Sequence, residues 1–201
     1  MSDEPVIFIV DDDPAIRDSL DVLLTSQGHA VRSFDSAVAF LASDAPAHPG
    51  CVLADVRMPQ MDGLELQEKL REQGSALPVI LMTGHADVPL AVRAMKAGAI
   101  DFLEKPFEDS DLVESIRRGL EHARLAGKAN ESLRLTNERL TQLTERERQV
   151  LDLLLAGNPN KVIAHELSIS PRTVEIHRAR VMEKMGARSL AELVRMTLAI
   201  R

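Results

Sequence analysis

Aromatic side chains are almost missing from this chain: they make up 2% of 201 residues, with no Trp and no Tyr. Any core must therefore be assembled from Leu, Ile, Val, Ala and Met, and the stacked aromatic platforms that grip single-stranded nucleic acid are not expected. Cysteine is as scarce. Cys51 stands alone, which rules out an intramolecular disulfide and a cysteine-based zinc site. Long apolar runs are missing too: Val79 to Met82, after Leu77 and Pro78, falls far short of the roughly 20 residues of a membrane span. The acidic start Met1-Ser2-Asp3-Glu4-Pro5 carries no basic segment of a secretory signal, so a cytoplasmic protein with no membrane partner is expected.

What is present is an ordinary globular mix, 45% apolar and 27% charged, unlike that of disordered or collagenous chains. The length suits one large domain or two small ones. Charge divides it. Residues 1–124 hold 11 Lys and Arg against 22 Asp and Glu, a balance of −11. Residues 125–201 hold 13 against 9, a balance of +4, and together they give the net −7. An acidic half joined to a basic half points to two domains with different partners, the second polyanionic.

The first 120 residues alternate strand and helix patterns. Val6 to Val10 is a continuous apolar run ending in Asp11, Asp12 and Asp13, as expected of a buried parallel strand. Ile16, Leu20, Leu23 and Leu24 then mark one face of a helix over 14–27. Ala30-Val31 reads as a short second strand, and Ser36 can cap a helix through Leu41. Cys51 to Ala54 is a third strand, ending in Asp55, and Leu64 to Gln73 is a helix stopped by Gly74. Pro78 to Met82 is a fourth strand, followed by Thr83-Gly84 and a helix over 88–97. Asp101 to Glu104 is a fifth, and Lys105-Pro106, a candidate cis bond, leads to a helix from near Ser110. Five such repeats predict a doubly wound parallel sheet.

From about 109 to 143 helix formers run without Pro. A seven-residue repeat places Ala126, Leu133 and Leu140 on one seam and Ala123, Asn130 and Asn137 on the other. That pattern suits a short parallel coiled coil in which Asn fixes register, although Gly127 weakens it. A linker helix docking one apolar edge on its own domains is the alternative. The tail is helical throughout. Thr144 and Glu147 form a capping box for a helix through Leu155, and a second helix spans about 160–167. Ser170-Pro171 opens a third through Met185, closed by Gly186, and a fourth spans 189–199. A short turn between two helices fits a helix-turn-helix.

In a parallel sheet, ligands collect at the carboxyl ends of strands. Here those ends present Asp11, Asp12, Asp13, Asp55, Thr83 and Lys105. Converging carboxylates call for a hard divalent cation, and oxygen ligands suit Mg²⁺. A carboxylate beside that ion can attack a phosphoryl group and form an acyl phosphate. Thr83 can then hydrogen-bond one phosphoryl oxygen, and Lys105 can pair with another. Asp13 is better read as the cap of the helix starting at Pro14. Arg57 and His85, two residues beyond Asp55 and Thr83, are placed to border the phosphoryl group and tune its lifetime.

This set resembles the receiver domain of two-component response regulators. Met58-Pro59 and Asp62-Gly63 after Asp55 also fit, as does Ala94-Met95-Lys96-Ala97-Gly98-Ala99 before the last strand. The resemblance implies a flavodoxin-like five-stranded receiver over 1–121, with Asp55 as phosphoacceptor. It implies that Asp12 ligates Mg²⁺ directly, Asp11 through water and Arg57 by its backbone carbonyl. It implies a switch in which Thr83 moves toward the phosphate while Phe102 turns inward, and a dimer surface around Val92, Met95 and Phe102; the coiled-coil reading of the linker over 122–143 would add Leu133 and Leu140 to that surface. One enzyme reading competes: Asp11-Asp12-Asp13 after Val10 also fits the strand end of haloacid-dehalogenase-type phosphatases, with Asp11 as nucleophile. It leaves the placement of Asp55, Thr83 and Lys105 partly unexplained and finds no use for 144–201.

The tail, 144–201, resembles LuxR-type helix-turn-helix domains through Leu143 to Leu151, Asn160 to Ala164 and Ser170 to His177. With Gly186 to Leu193 and the long linker, the whole chain resembles the FixJ subgroup of the NarL family. The resemblance implies a transcription regulator rather than an enzyme. A sensor histidine kinase, double-stranded promoter DNA, RNA polymerase and a second copy of the chain are the implied partners. Helical spacing separately assigns Val174, Val181 and Met185 to a buried stripe. Arg172, Glu175, Ile176 and Ala179 fall on the opposite side, where they can reach base edges. Lys161, Thr173 and Arg180 better suit phosphates. A tail that binds protein instead of DNA is the remaining alternative.

Overall fold

The computed structural model describes residues 4–85 and 88–198, which form two compact units, one ending at Gly127 and one starting at Lys128. The first unit is a parallel sheet of β1 (Val6–Val10), β2 (Ala30–Phe34), β3 (Gly50–Asp55), β4 (Val79–Thr83) and β5 (Asp101–Glu104). The spatial order is β2-β1-β3-β4-β5, the flavodoxin-like doubly wound arrangement. Helices α1 (Pro14–Ser26), α2 (Ala37–Ala42), α3 (Gly63–Glu72), α4 (Val88–Lys96) and the start of α5 (Asp109–Thr141) connect and cover it.

Alternation along the strands sends successive side chains to opposite faces, and each face has its own core. Phe8, Val10, Val52, Ala54 and Leu81 pack with Phe40 of α2, Leu66 and Leu70 of α3 and Ala94 of α4. Ile7, Ile9, Cys51, Leu53, Ile80 and Met82 pack with Leu20 and Leu24 of α1 and Leu112 and Ile116 of α5. Burial pushes the Cys51 thiol up to about 12, so it serves as a small apolar residue.

The second strand is longer than its apolar run suggests. β2 pairs with β1 from Val6↔Ala30 to Val10↔Phe34, and its polar members, Arg32 and Ser33, hid it from a reading of hydrophobicity. Arg32 lies over the rings of Phe8 and Phe34, 5.9 and 5.6 Å from their centroids, so its charge sits on aromatic faces at the sheet edge. Asp13 caps α1 by accepting from the Ala15 N–H at 2.8 Å, with Pro14 at the first helical position. The Lys105–Pro106 bond is cis.

The second unit comprises the end of α5 with α6 (Glu145–Leu155), α7 (Asn160–Glu166), α8 (Pro171–Met185) and α9 (Leu190–Leu198). Position 199, assigned to the last helix by pattern, lies outside the described residues. Both expected caps are formed: Thr144 and Glu147 bond reciprocally, and the Ser170 side chain accepts from the Thr173 N–H at 3.0 Å. The core is double, and α8 bridges it. Val174 packs with Val150, Leu154 and Ile163, whereas Val181 and Met185 pack with Leu143, Leu151 and Leu193. Among the described residues, no helix is long and apolar enough to cross a membrane.

α5 is one unbroken helix of 33 residues. Along the proposed seam Ala123, Ala126 and Leu133 are half-buried, while Asn130 and Asn137 are exposed. Leu140, also half-buried, has a contact within its own chain. It packs against the core of its own helical unit, with Val181 and Met185, because the helix reaches that unit one turn before it ends.

The helical unit also contains a buried ion pair. Lys184 Nζ lies 2.6 Å from Glu147 Oε2, with side-chain exposures of 33% and 3%. The Lys184 ammonium holds the Glu147 carboxyl down to about 2 from 4.5, although burial works the other way. A depressed carboxylate stabilises the fold above its unfolded pKa and ceases to do so as pH falls through its folded one. Glu147→Gln is therefore expected to cost roughly 2 kcal/mol at neutral pH, less than for a fully buried pair because Lys184 is partly solvated. The deficit relative to the wild type should shrink as pH falls from 4.5 toward 2. Urea titrations at stepped pH check this; a pH-independent deficit contradicts it.

Candidate functional site

β1 and β3 are neighbours at the point where the strand order reverses, so their last residues bring Asp11 and Asp55 to one crevice. Lys105, just beyond β5, reaches both: its Nζ is 2.7 Å from Asp11 Oδ2 and 2.6 Å from Asp55 Oδ1. Burial opposes the ammonium charge, but the hydrogen bonds to Asp11 and Asp55 outweigh it and raise the Lys105 pKa above its ordinary value. The other oxygens are also held. Asp11 Oδ1 accepts from the Asp13 N–H at 2.9 Å, and Asp55 Oδ2 accepts from the Arg57 N–H at 2.5 Å. Arg17 donates to the Asp11 carbonyl at 2.7 Å.

Access separates the two carboxylates. The Asp11 side chain is 1% exposed and that of Asp55 11%. An incoming electrophile reaches Asp55 more readily, which counts against Asp11 as the nucleophile of a phosphatase. Beside Asp55 opens a cleft of about 680 Å³ lined by Asp12, Arg57, Met58, Asp62, Leu90 and Arg93, among others.

Two features of the crevice bear on the expected roles. Asp11, Asp12 and Asp55 do not form a tight trio: among the described residues, no cluster of three His, Cys, Asp or Glu side chains stands ready to hold a metal. Lys105 pairs with Asp11 and Asp55, while Asp12 is exposed on the cleft. Thr83 is fully buried, and its hydroxyl is engaged with its own loop, donating to the His85 carbonyl and accepting from the His85 N–H, both at 3.2 Å. The oxygen donors nevertheless suit a hard cation such as Mg²⁺. Val92 and Met95 are exposed on α4, whereas Phe102 is partly buried against the sheet's α3 side.

On α8, Val174, Val181 and Met185 are fully buried, as their spacing requires. Arg172, Glu175, Ile176, Ala179 and Arg180 are all exposed, as is Lys161 on α7. Thr173 is less free than expected: it is half-buried, and its hydroxyl pairs with Ser170 Oγ at 2.8 Å.

Two family descriptions match these two regions. "Response regulator receiver domain" covers residues 7–117, and "Bacterial regulatory proteins, luxR family" covers 141–197. The chain belongs to the response regulators. The transcriptional regulatory protein FixJ of Bradyrhizobium diazoefficiens is 51% identical over 192 residues, 96% of this chain and 94% of that one. The structure of the response regulator StyR superposes with a TM-score of 0.84 at 44% identity, covering 97% of this chain and 98% of that chain. Full-length FixJ from B. japonicum gives 0.59 at 50% identity, covering 98% and 97%. This is thus a FixJ-like response regulator with a receiver domain and a LuxR-type DNA-binding domain, and its homologues are transcriptional regulators.

Some side chains of this response regulator escaped the sequence reading. Arg178 donates to Asn160 Oδ1 at 2.6 Å and so ties α8 to the start of α7. Arg139 donates to the Met185 carbonyl at 2.8 Å. Ser115 and Arg118 on α5 both bond Asp101 at the start of β5. None lies in a motif, and each partner is 14 or more residues away.

Gly63 is required by close approach. A Cβ there would lie 2.4 Å from the Asp55 carbonyl oxygen and 3.0 Å from Leu81 Cδ2. Backbone cannot give way as a flexible side chain does, so Gly63→Ala should cost about 2 kcal/mol or more. It should also slow phosphoryl uptake by displacing the Asp55 peptide. Urea midpoints and rates with a small phosphodonor test this, and unchanged values for both would refute the assignment.

Proposed function

We propose that the receiver domain is switched by phosphorylation of Asp55 by a sensor histidine kinase, and that the phosphorylated form dimerises on promoter DNA and engages RNA polymerase. One observation carries the reading. Asp55 is the accessible carboxylate at the strand-order reversal, oriented by the Arg57 N–H and paired with Lys105. An Asp55 oxygen attacks phosphorus, the bond to the donor's leaving group breaks, and an acyl phosphate forms. Forming this mixed anhydride removes the negative charge from that oxygen. Lys105 then loses half of its anionic partnership and pairs with a phosphoryl oxygen instead. Thr83 exchanges its loop partner for the phosphoryl group.

Asp12, with Asp11, Asp55 and the Arg57 carbonyl, would hold Mg²⁺. That ion supplies charge neutralisation for the phosphoryl oxygens. Arg57 and His85, at the border of the crevice, tune the lifetime of the acyl phosphate. Val92, Met95 and Phe102, with Leu133 and Leu140 of the linker, form the dimer surface, and the receiver, linker and helical tail meet near residues 121 and 143. In the tail, Arg172, Glu175, Ile176 and Ala179 face the major groove while Lys161, Arg180 and the neighbouring Thr173 address phosphates. A charge of +4 per tail gives weak binding by one copy, so doubling the phosphate contacts makes occupancy depend on dimerisation. The cytoplasm, where kinase and promoter meet, is the site of action.

Intact mass after incubation with acetyl phosphate and Mg²⁺ is the direct test. The wild type should gain one phosphoryl group, Asp55→Asn none, and Lys105→Ala should gain it more slowly. Phosphorylation of the Asp55→Asn chain at Asp11 would overturn the assignment in favour of the phosphatase reading.

A further inference from the structure

The recognition helix is gripped at its carboxyl end by a helix outside the helix-turn-helix. Arg139, in the last turn of α5, donates to the Met185 carbonyl at 2.8 Å. Lys184 donates to the Gln142 carbonyl, just past α5, at 3.2 Å. Arg148 of α6 reaches back to the Leu140 carbonyl at 3.0 Å, and Leu140 packs against the core that holds Val181 and Met185. One helical turn earlier, Thr136 is 2% exposed. The last two turns of α5 thus behave as part of the helical unit.

Arg139 does more than finish α8. The helix already ends on a left-handed Gly186 at φ +64°. Its own chain satisfies two late carbonyls, Gly186 N–H to Glu183 and Ala187 N–H to Met182, each at 3.0 Å. This is the ordinary glycine closure of a helix. The Arg139 bond to Met185 is additional and comes from 46 residues away. The guanidinium also fills the space beside Gly186, where an added Cβ would lie 3.0 Å from Arg139 Nη1. A cation at the negative end of α8 is favourable, and its planar fork fixes direction as well as charge.

α8 is therefore tied to α7 by Arg178 and Asn160, and near its carboxyl end by Lys184, which pairs with Glu147 of α6, and by Arg139 on the Met185 carbonyl. Arg172, Glu175, Ile176, Ala179 and Arg180, which face outward, sit on the same helix. We propose that Arg139 is a positioning residue for DNA recognition: it sets the pose of α8, and so the discrimination of one sequence from another, without touching DNA. The proposal rests on the reading of the tail as a DNA-binding domain.

The test uses the full chain, phosphorylated with acetyl phosphate and Mg²⁺. A duplex selected by the wild type from a random pool is compared with unselected duplex of the same length. Arg139→Ala should lose about tenfold in the ratio of selected to unselected affinity, the scale of one misread base pair. Affinity for unselected duplex, its salt slope and phosphoryl uptake should stay at wild-type values. Arg139→Lys, which keeps the charge and a donor but loses the planar fork, should recover part of the ratio. If Arg139→Ala fails to fold by circular dichroism, Arg139→Gln carries the same comparison. A folded variant with an undiminished ratio overturns the proposal. So does a salt slope smaller by about 0.9, which would make Arg139 a phosphate contact, or an equal loss on both duplexes. Failure of the wild type to select any duplex would instead remove the DNA-binding reading, and the inference with it.

Discussion

Two carboxylates at adjacent strand ends repel each other, and the receiver is arranged around that fact. At about 4 Å and an effective dielectric near 20, two like charges cost on the order of 4 kcal/mol, comparable to a large share of a domain's stability. Lys105 removes the cost by standing between Asp11 and Asp55. The arrangement needs β1 beside β3 and the end of β5 close enough for a lysine to reach both, which the order β2-β1-β3-β4-β5 provides. It also makes the site responsive. Any chemistry that changes the charge on Asp55 changes what Lys105 must hold, and Lys105 belongs to the segment immediately after β5, the strand that carries Phe102.

The scarcity of aromatics shapes the packing in a different way. Three of the five Phe residues gather at one edge of the sheet, with Phe8 and Phe34 each meeting Phe40 edge to face, at 5.6 and 5.3 Å between centroids. The other two, Phe102 and Phe107, are partly buried, one against each face's core, and the rest of the packing is aliphatic or from Met and Cys. The sequence holds no aromatic after Phe107, and the core of the helical unit divides into two clusters to which both α6 and α8 contribute. α8 must bury Val174, Val181 and Met185 while presenting Arg172, Glu175, Ile176 and Ala179 outward. Small clusters offer limited packing energy, so polar ties matter more here: Lys184 to Glu147, Arg178 to Asn160 and Arg139 to Met185.

Most of the fold was legible in the sequence because its signals are local. Apolar runs ending in Asp11, Asp55 and Thr83 marked the buried strands, and Asp13, Thr144 and Ser170 marked helix starts through side chains that bond two or three residues away. β2 was half missed because an edge strand carrying Arg32 and Ser33 does not read as an apolar run. The site's members were legible as strand-end residues, but their pairing was not. Nothing local says that Lys105 closes on Asp11 and Asp55, 94 and 50 residues earlier. Nor does it say that Thr83 bonds its own loop. Leu140 illustrates the same limit: a heptad register puts it on a seam, and only the folded chain shows that its own core claims it.

That last substitution of partners bears on how the helical tail is delimited. A boundary drawn at the Thr144 capping box follows the start of α6, where the helix-turn-helix pattern begins. The hydrogen bonds draw it earlier, since Arg139, Leu140 and Gln142 each bond residues between 148 and 185. A domain is better bounded by where its buried contacts stop than by where its motif starts. By that criterion the end of α5 is a fifth helix of the tail. The same α5 gives Leu112 and Ile116 to the receiver core. One continuous helix therefore serves two hydrophobic cores, and its helical geometry is subject to the packing demands of both.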